Sequence, residues 1–261
     1  MKIATWNVNS IRARWERLAP WLERQRPDVV CLQETKVTDG DFPFVELKGL
    51  GYHAAHLGQK TYNGVALLAR EELTDVRRGM EDGADDPQAR LIGATVSGVR
   101  VLSAYVPNGQ AVGSEKFAYK LAWLERLRRH LEERYRPEQP LIIAGDFNIA
   151  PEPIDVHDPA AWEGQVLCTA VERAALARLV GFGLVDVYRE LHPEPGRFTW
   201  WDYRRLAFPK NLGLRIDHLF ATAPLARLAQ RAEIDREARK GKLPSDHAPV
   251  LVELAAPPLA P

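Results

Sequence analysis

A carboxylate and an amide stand two residues apart where an apolar run of the sequence ends. Residues 141–144 (Leu-Ile-Ile-Ala) are followed directly by Gly145, Asp146, Phe147 and Asn148. The apolar residues predict a buried strand that ends near Gly145. If the extended backbone continues past that glycine, the Asp146 and Asn148 side chains leave it on the same side and could act together. Asp and Asn are also common turn residues that hydrogen-bond their own backbone, and this segment alone favours an ordinary turn.

Similar polar residues end or border other apolar runs, which predicts that they share one rim of a sheet. They are Asn7, Glu34, Tyr105, Asp217, Asp246 and His247. Carboxylates gathered at one rim repel one another unless a cation or a proton lies between them. Oxygen ligands favour Mg²⁺, or Mn²⁺ in its place, over zinc. Each residue alone has a simpler explanation, since Glu34 could only pair with Lys36 and His247 could cap a turn.

Strands and helices that could position these residues follow from hydrophobic periodicity. Strands are predicted over residues 2–6, 28–32, 52–57, 64–69, 91–96, 99–105, 141–144, 214–220 and 250–254, and helices over 14–26, 115–135 and 169–180. Pro20 predicts a kink or an early break in the first helix. A hairpin at Ser97-Gly98 means that the sheet cannot be all parallel. The predicted fold class is α/β, with two mixed β-sheets packed face to face and helices outside.

Length and composition are those of one ordinary α/β domain. The 261 residues predict a single catalytic domain over 1–254, followed by an Ala/Pro tail, 255–261, that is expected to be disordered. The 35 basic and 35 acidic residues balance, so overall charge does not indicate nucleic acid as a partner. Residues 202–242 hold ten Lys/Arg against five acids, which predicts either a local basic face or solvated surface charge.

The two cysteines, Cys31 and Cys168, indicate neither a disulfide framework nor a zinc site. Met1-Lys2 leads directly into a strand-like run, and no apolar segment reaches membrane length, so no membrane association is expected. A reduced cytoplasmic location is the default expectation.

The chain resembles the bacterial exonuclease III family of apurinic/apyrimidinic endonucleases, within the wider endonuclease/exonuclease/phosphatase superfamily. The matching segments begin at Trp6 (WNVNSIRAR), Leu32 (LQETK), Gly64 (GVALL), Gly145 (GDFNIAP), Gly183 (GLVD), Trp200 (WWDYR), Gly213 (GLRID) and Ser245 (SDHAP). They occur in the family's order over nearly the whole chain. The resemblance implies a four-layer α/β sandwich, in agreement with the two packed sheets predicted above.

The resemblance also implies roles for the strand-end residues. Metal binding falls to Asn7, Glu34, Asp146, Asn148 and Asp246, and catalysis to Tyr105, Asp146, Asn148, Asp217 and His247. Asp146 would activate or orient the attacking water, and Asp217 would orient His247, which would bind a phosphoryl oxygen. Whether Asp146 or the Asp217–His247 pair is the general base stays open.

A third group of residues matches positions that contact DNA in the family. It comprises Gln59, Lys60, Tyr62, Arg90, Asn108, Trp200, Trp201, Arg204, Leu214 and Ile216. Trp200, Leu214 and Ile216 would form the walls of a pocket for a flipped-out abasic sugar. The implied partner is duplex DNA with abasic sites or blocked 3′ ends, cleaved by a monomer that would associate with the nucleoid when DNA is bound. The segment 151–166 departs from the family pattern, which leaves the balance of endonuclease and exonuclease activity open.

Two other functions compete with this interpretation. Members of the superfamily with the same metal core include phosphatases and RNases, so another phosphoester could be the substrate. A non-catalytic DNA-binding protein of this fold is disfavoured, because the residues needed for catalysis are all present.

Overall fold

The computed structural model describes residues 1–255, so the tail predicted to be disordered lies outside the described residues, apart from residue 255. Within residues 1–255, twelve strands form two six-stranded sheets. The first sheet has the order β11-β12-β1-β2-β4-β3, and the second has the order β5-β6-β7-β8-β10-β9. The strands are β1 Lys2–Asn7, β2 Val29–Gln33, β3 His53–Leu57, β4 Val65–Ala69, β5 Thr74–Arg78, β6 Leu91–Val96, β7 Val99–Tyr105, β8 Leu141–Asp146, β9 Leu184–Asp186, β10 Asp217–Thr222, β11 Ala229–Ile234 and β12 Val250–Leu254.

Within residues 1–255, the first two helices lie on the outer face of the first sheet, the third and fifth lie on the outer face of the second, and the sixth and seventh pack against the core between the sheets. The helices are α1 Trp15–Gln25, α2 Phe44–Gly49, α3 Glu115–Arg134, α4 Pro159–Trp162, α5 Ala170–Val180, α6 Val187–Leu191 and α7 Ala223–Ala226, with 3₁₀ turns at Asp39–Asp41, Pro153–Asp155 and Arg236–Arg239. Ser114 and Thr169 begin the two longest helices of the second sheet's cover, each accepting a backbone N–H with its hydroxyl. Such caps stabilise a helix by about 1 kcal/mol each. None of the helices within residues 1–255 has the length and apolar character that a membrane span requires.

Alternate residues of the central strands serve two separate cores. On β8, Ile142 and Ala144 pack between the two sheets, whereas Leu141 and Ile143 pack under α3 and α5. A third core lies between the outer face of the first sheet and helices α1 and α2. Strands buried on both faces read as continuous apolar runs, which is why they could be predicted. The four-layer sandwich expected from the sequence is confirmed.

Strand pairing brings the polar strand ends to one edge of the sandwich. In the first sheet β1 and β2 are parallel, and Asn7 pairs with Gln33, the residue before Glu34. In the second sheet β7 and β8 are parallel, and Tyr105 pairs with Asp146. The antiparallel strand β10 begins where β8 ends, so that Asp217 faces Asp146.

Two features differ from expectation. The first helix continues past Pro20 to Gln25, so the early break does not occur. The carbonyl that loses its N–H partner belongs to Glu16, which is exposed, as is Pro20. The strands β5, β9 and β11 were not expected from the sequence, because they lie at sheet edges and carry polar or half-exposed residues. The hairpin at Ser97-Gly98 joins β6 to β7 as expected.

Candidate active site

Asn7 joins the two sheets at the centre of the site. Its amide Nδ2 donates to Glu34 Oε1 at 2.8 Å and to Asp146 Oδ2 at 2.9 Å. Tyr105 donates its hydroxyl to the same Glu34 oxygen at 2.9 Å. Carboxylates that follow strands of different sheets are therefore linked through one buried amide.

The Asp146–Asn148 segment forms the expected turn and also brings its two polar side chains into contact. The extended geometry continues to Asp146, the last residue of β8, and ends before Asn148, which adopts a left-handed backbone with φ of 52°. Its backbone N–H donates to Asp146 Oδ1 at 2.9 Å, and its side-chain Nδ2 donates to Asp146 Oδ2 at 3.2 Å. The turn thereby fixes the direction of the Asp146 carboxylate. Gly145 is required because a Cβ there would lie 1.8 Å from the Ala104 carbonyl oxygen.

Asp217 and His247 form a buried ion pair beside Asp146. His247 Nδ1 donates to Asp217 Oδ2 at 2.8 Å, and His247 Nε2 lies 3.8 Å from Asp146 Oδ2. Burial would lower the His247 pKa, but Asp217 and Asp146 together raise it to about 10. At neutral pH the imidazole is therefore a cation that can donate from Nε2.

The pKa of Asp146 is raised towards neutrality, because burial disfavours its charged form. Burial and the neighbouring carboxylate of Asp217 raise it to about 7, against the lowering effect of the His247 cation. A carboxyl group with such a pKa can accept a proton from water far better than an ordinary aspartate, and a base is most effective near its own pKa. The group is thus suited to acid–base chemistry at neutral pH.

Glu34 is held as a carboxylate by a lysine two residues later. Burial alone would raise the pKa of Glu34, but the Lys36 ammonium and hydrogen bonds lower it below its ordinary value. Lys36 Nζ lies 2.8 Å from Glu34 Oε2 and donates to Asn9 Oδ1 at 2.6 Å. The ion pair that the sequence offered as a simple explanation for Glu34 is present, and it lies within the site.

Asp246 lies at the side of this arrangement. Its Oδ1 accepts from Asn9 Nδ2 at 3.0 Å, and its Oδ2 accepts from the indole Nε1 of Trp200 at 3.0 Å. Burial would raise its pKa, but the His247 cation and these hydrogen bonds lower it. Trp200 thus orients a residue of the site in addition to offering an aromatic surface.

The donor set at the rim fits a hard divalent cation. Ligand atoms of Asp146, Asp217 and His247 all lie within 4.8 Å of one another. Asp217 Oδ1 is buried and has no hydrogen-bond partner, so one carboxylate oxygen of this group is free to bind a cation. Of the metal ligands predicted from the sequence, only Asp146 belongs to this group, while Asn7 connects it to Glu34. Carboxylate and amide oxygens are the ligands that Mg²⁺ and Mn²⁺ prefer.

A groove opens from the site on the side of Tyr105. It has a volume of about 660 Å³, and its lining includes Gln59, Tyr62, Arg90 and Asn108. The Arg90 guanidinium lies over the Tyr105 ring at 4.6 Å and donates to the Tyr105 carbonyl oxygen. Four residues expected to contact DNA thus share one groove with a residue of the active site, while Lys60 is exposed outside that lining.

The pocket expected around Trp200 is only partly formed. Trp200 is half-buried and stands edge-on to Trp162, with ring centroids 6.5 Å apart. Leu214 and Ile216 pack with these rings and are 0% and 1% exposed, so they support the Trp200 surface from within, and their role as pocket walls stays a prediction. Successive side chains of an extended segment point to opposite sides, so Trp201 points into the protein whereas Trp200 faces the site.

Trp201 is fully buried and packs on Phe208, with its Nε1 donating to Asn211. The Trp201 side chain therefore offers no exposed surface to DNA, and the contact expected from the sequence stays a prediction. Arg204 lies on the surface of the same loop and pairs with Asp202. The predicted basic face of residues 202–242 exposes fewer positive charges than its ten Lys/Arg suggest, because Arg215 and Arg239 are buried.

Several residues of the site were not singled out from the sequence. They are Asn63 and Gln88, which line the groove, Trp162, which faces Trp200, and Ser245, whose hydroxyl donates to the Asn7 carbonyl oxygen. Ser245 directly precedes Asp246 in a quoted motif, a signal that could have identified it.

The arrangement can perform metal-assisted hydrolysis of a phosphoester. Asp146 can take a proton from water, and the His247 cation can donate to an oxygen that gains negative charge. Tyr105 and Asn108 add hydroxyl and amide groups on the groove side. Oxygen ligands for a cation, a base near neutral pH and converging donors define a hydrolytic site for phosphate esters.

Comparison with known proteins places the chain in a family. Residues 4–247 match the model of the endonuclease/exonuclease/phosphatase family, and the chain belongs to it. Exodeoxyribonuclease III of Haemophilus influenzae is 37% identical over 265 residues, which cover 97% of this chain and 99% of that protein. The likeness thus extends over essentially the whole length of both.

Two solved structures are similar in both fold and sequence. An AP endonuclease from Archaeoglobus fulgidus superposes with a TM-score of 0.95 at 40% identity, covering 98% of this chain and all of that one. The 3′ phosphatase NExo from Neisseria, bound to a product DNA hairpin, gives a TM-score of 0.95 at 42% identity with the same coverage.

Proposed function

We propose that this protein is a metal-dependent DNA repair nuclease of the exodeoxyribonuclease III type, which cleaves duplex DNA 5′ to abasic sites and trims blocked 3′ ends. The observation that carries the proposal is the Asn7 amide, which ties Glu34 and Asp146 from different sheets to one point. Similarity to an exodeoxyribonuclease, an AP endonuclease and a 3′ phosphatase bound to DNA supports DNA as the substrate.

Mg²⁺, with Mn²⁺ as a substitute, is the proposed cofactor. Glu34 and Asp146 would hold it with the help of Asn7, and the free oxygen of Asp217 lies close by. A divalent cation at this place supplies neutralisation of the phosphate charge and makes water a better nucleophile. All of these groups come from one chain, so the proposed active unit is a monomer, and it would act on DNA in the cytoplasm.

Within this proposal the protein's own groups divide the work. Asp146 accepts the proton of the attacking water, because its carboxylate is buried at the centre of the site and its direction is fixed by Asn148. His247 donates from Nε2 to a phosphoryl oxygen, and Asp217 holds the imidazole in the required orientation. Tyr105 and Asn108 contact the phosphate from the groove side. Asn148 keeps the Asp146 carboxylate in position through two hydrogen bonds.

Substrate choice is assigned to the groove and to Trp200. Gln59, Tyr62 and Arg90 would contact the DNA backbone along the groove, which fixes register without reading sequence. The Trp200 face would receive the sugar of an extruded abasic residue, whose extrusion requires less unstacking than that of an intact nucleotide. Lys60 and Arg204 are exposed beside these surfaces and would add further backbone contacts.

The proposal is tested with a fluorescent duplex that carries one abasic analogue, incubated with Mg²⁺ or with a chelator. We expect cleavage 5′ to the lesion only with the metal, and trimming of a duplex with a 3′ phosphate. Asp146→Asn should bind the duplex about as tightly as wild type and lose most cleavage, because it removes the base. Single-turnover rates of Asp146→Asn within a few-fold of wild type contradict the role of Asp146. Inactivity of the wild type on DNA, with turnover of a small phosphoester, contradicts DNA as the substrate.

A further inference from the structure

Lys120 is a lysine whose ammonium group is buried at the back of the active site. It lies in α3 and is 0% exposed. Its side chain runs past Gly109, where a Cβ would lie only 3.1 Å from Lys120 Cδ. The ammonium donates to the carbonyl oxygens of Asn108 at 3.1 Å and Asn148 at 2.7 Å, and to the Glu172 carboxylate. A lysine has three N–H donors, and all of them are used here.

Glu172 is equally buried and equally satisfied. Its Oε1 also accepts from the Leu167 N–H at 3.0 Å, and its Oε2 accepts from the backbone and hydroxyl of Thr169. The carboxylate thereby belongs to the cap that begins α5. A buried ion pair of this kind contributes little net stability, because taking both charges out of water offsets their attraction. Stabilisation of the fold therefore explains only weakly why this ion pair lies between α3 and α5.

The two carbonyl groups belong to loops that build the active site. Asn108 follows β7 and Asn148 follows β8, and the Asn108 amide donates to Asn148 Oδ1 at 3.0 Å. Asn148 has the left-handed backbone that directs its own N–H to Asp146. The ammonium group therefore binds the carbonyl oxygen of Asn148, which has the left-handed backbone, and the carbonyl oxygen of Asn108 in the neighbouring loop. Its hydrogen-bonded connection to Asp146 runs through Asn148.

We propose that Lys120 is a positioning residue for the hydrolytic reaction, which holds the Asn108 and Asn148 loops in the geometry that directs Asp146 at the attacking water. The inference rests on the proposed function, and it adds a residue that touches neither substrate nor metal. Glu172 neutralises the ammonium so that it can remain charged where water is absent. Displacement of a reacting group by about 1 Å lowers a rate by about 100-fold.

The test separates positioning from stability by comparing two variants. Glu172→Gln keeps both hydrogen bonds from Lys120 to the loops but leaves the ammonium uncompensated, so we expect a lower Tm with kcat within about threefold of wild type. Lys120→Met/Glu172→Gln removes both charges, so Tm should recover towards wild type. Because the loops lose their donor, kcat should fall about 100-fold, while KM for the abasic duplex changes little.

Each outcome bears on the proposal. A double variant with the Tm and the kcat of wild type overturns it, and so does a kcat that merely follows Tm in both variants. Lys120→Met alone, in which Glu172 keeps its donors from Leu167 and Thr169, is the second variant in case the double variant does not fold, and wild-type kcat per folded molecule there also overturns the proposal. Failure of both to fold assigns Lys120 to folding and overturns positioning. An inactive wild type contradicts the proposed function instead.

Discussion

Asp217→Asn tests how the charge of His247 is maintained. The substitution keeps the shape of the side chain and removes the carboxylate that lies 2.8 Å from His247 Nδ1. A hydrogen bond to a charged group is worth about 1.5–3 kcal/mol, and one pKa unit corresponds to about 1.4 kcal/mol. The pKa of His247, which burial lowers and the two aspartates raise to about 10, should therefore fall by about one to two units.

The shift should appear in the pH dependence of cleavage. Nε2 of His247 carries a proton only while the imidazole is a cation, because Nδ1 already donates to the residue at position 217. The alkaline decline of the single-turnover rate should therefore move down by about one to two pH units in Asp217→Asn. NMR titration of the imidazole in chelator-treated protein measures the same shift without catalysis.

A matched control removes a carboxylate elsewhere. Asp82 pairs with Arg126 outside the site, and Asp82→Asn should leave the pH profile of cleavage unchanged. The reasoning is refuted by an alkaline limb that stays in place, or moves upward, in Asp217→Asn. It is also refuted if Asp82→Asn produces the same shift, since the effect would then reflect overall charge.

Two further predictions concern Trp200 and the pH dependence of stability. Trp200→Phe keeps the aromatic face but loses the hydrogen bond to Asp246, so it should lower the cleavage rate and leave the affinity for abasic DNA nearly unchanged. Trp200→Ala should lower both the rate and the affinity. Equal affinities of the wild-type protein for abasic and intact duplex would contradict a pocket role. The raised pKa of His247 stabilises the fold fully below about pH 6.5, its unfolded value, and this contribution is lost as pH rises through about 10. In chelator, the free energy of unfolding should fall between about pH 7 and 10 for wild type, with a flatter curve for His247→Gln measured by urea denaturation.

The sequence predicts the centre of the fold better than its edges, for a physical reason. Strands such as β4 and β8 are buried on both faces, so an apolar run is enough to identify them. The edge strand β5 is mostly exposed and carries two arginines, and nothing in its composition separates it from a loop. Strand ends were predicted for the same reason as the central strands, because each apolar run stops at a polar residue.

Side-chain direction is what the sequence could not supply. Trp200 and Trp201 are adjacent and chemically alike, yet one faces the site and the other is buried. Lys120 looks like an ordinary lysine of a helix surface, although it stands on the apolar stripe with Phe117, Leu124 and Leu127. That position at helical spacing is a signal for a buried ammonium, and the carbonyl groups it contacts come from distant segments.

The division of the site between the two sheets has a consequence for a chain that has not completed folding. Asn7 and Glu34 belong to the first sheet, and Tyr105, Asp146 and Asp217 belong to the second. A chain in which only one sheet has formed holds half of the groups and cannot assemble the base and the cation ligands around one phosphate. Hydrolytic activity therefore requires that both sheets have packed together. A folding intermediate or a proteolytic fragment with only one sheet cannot cleave the DNA that the folded protein is proposed to repair.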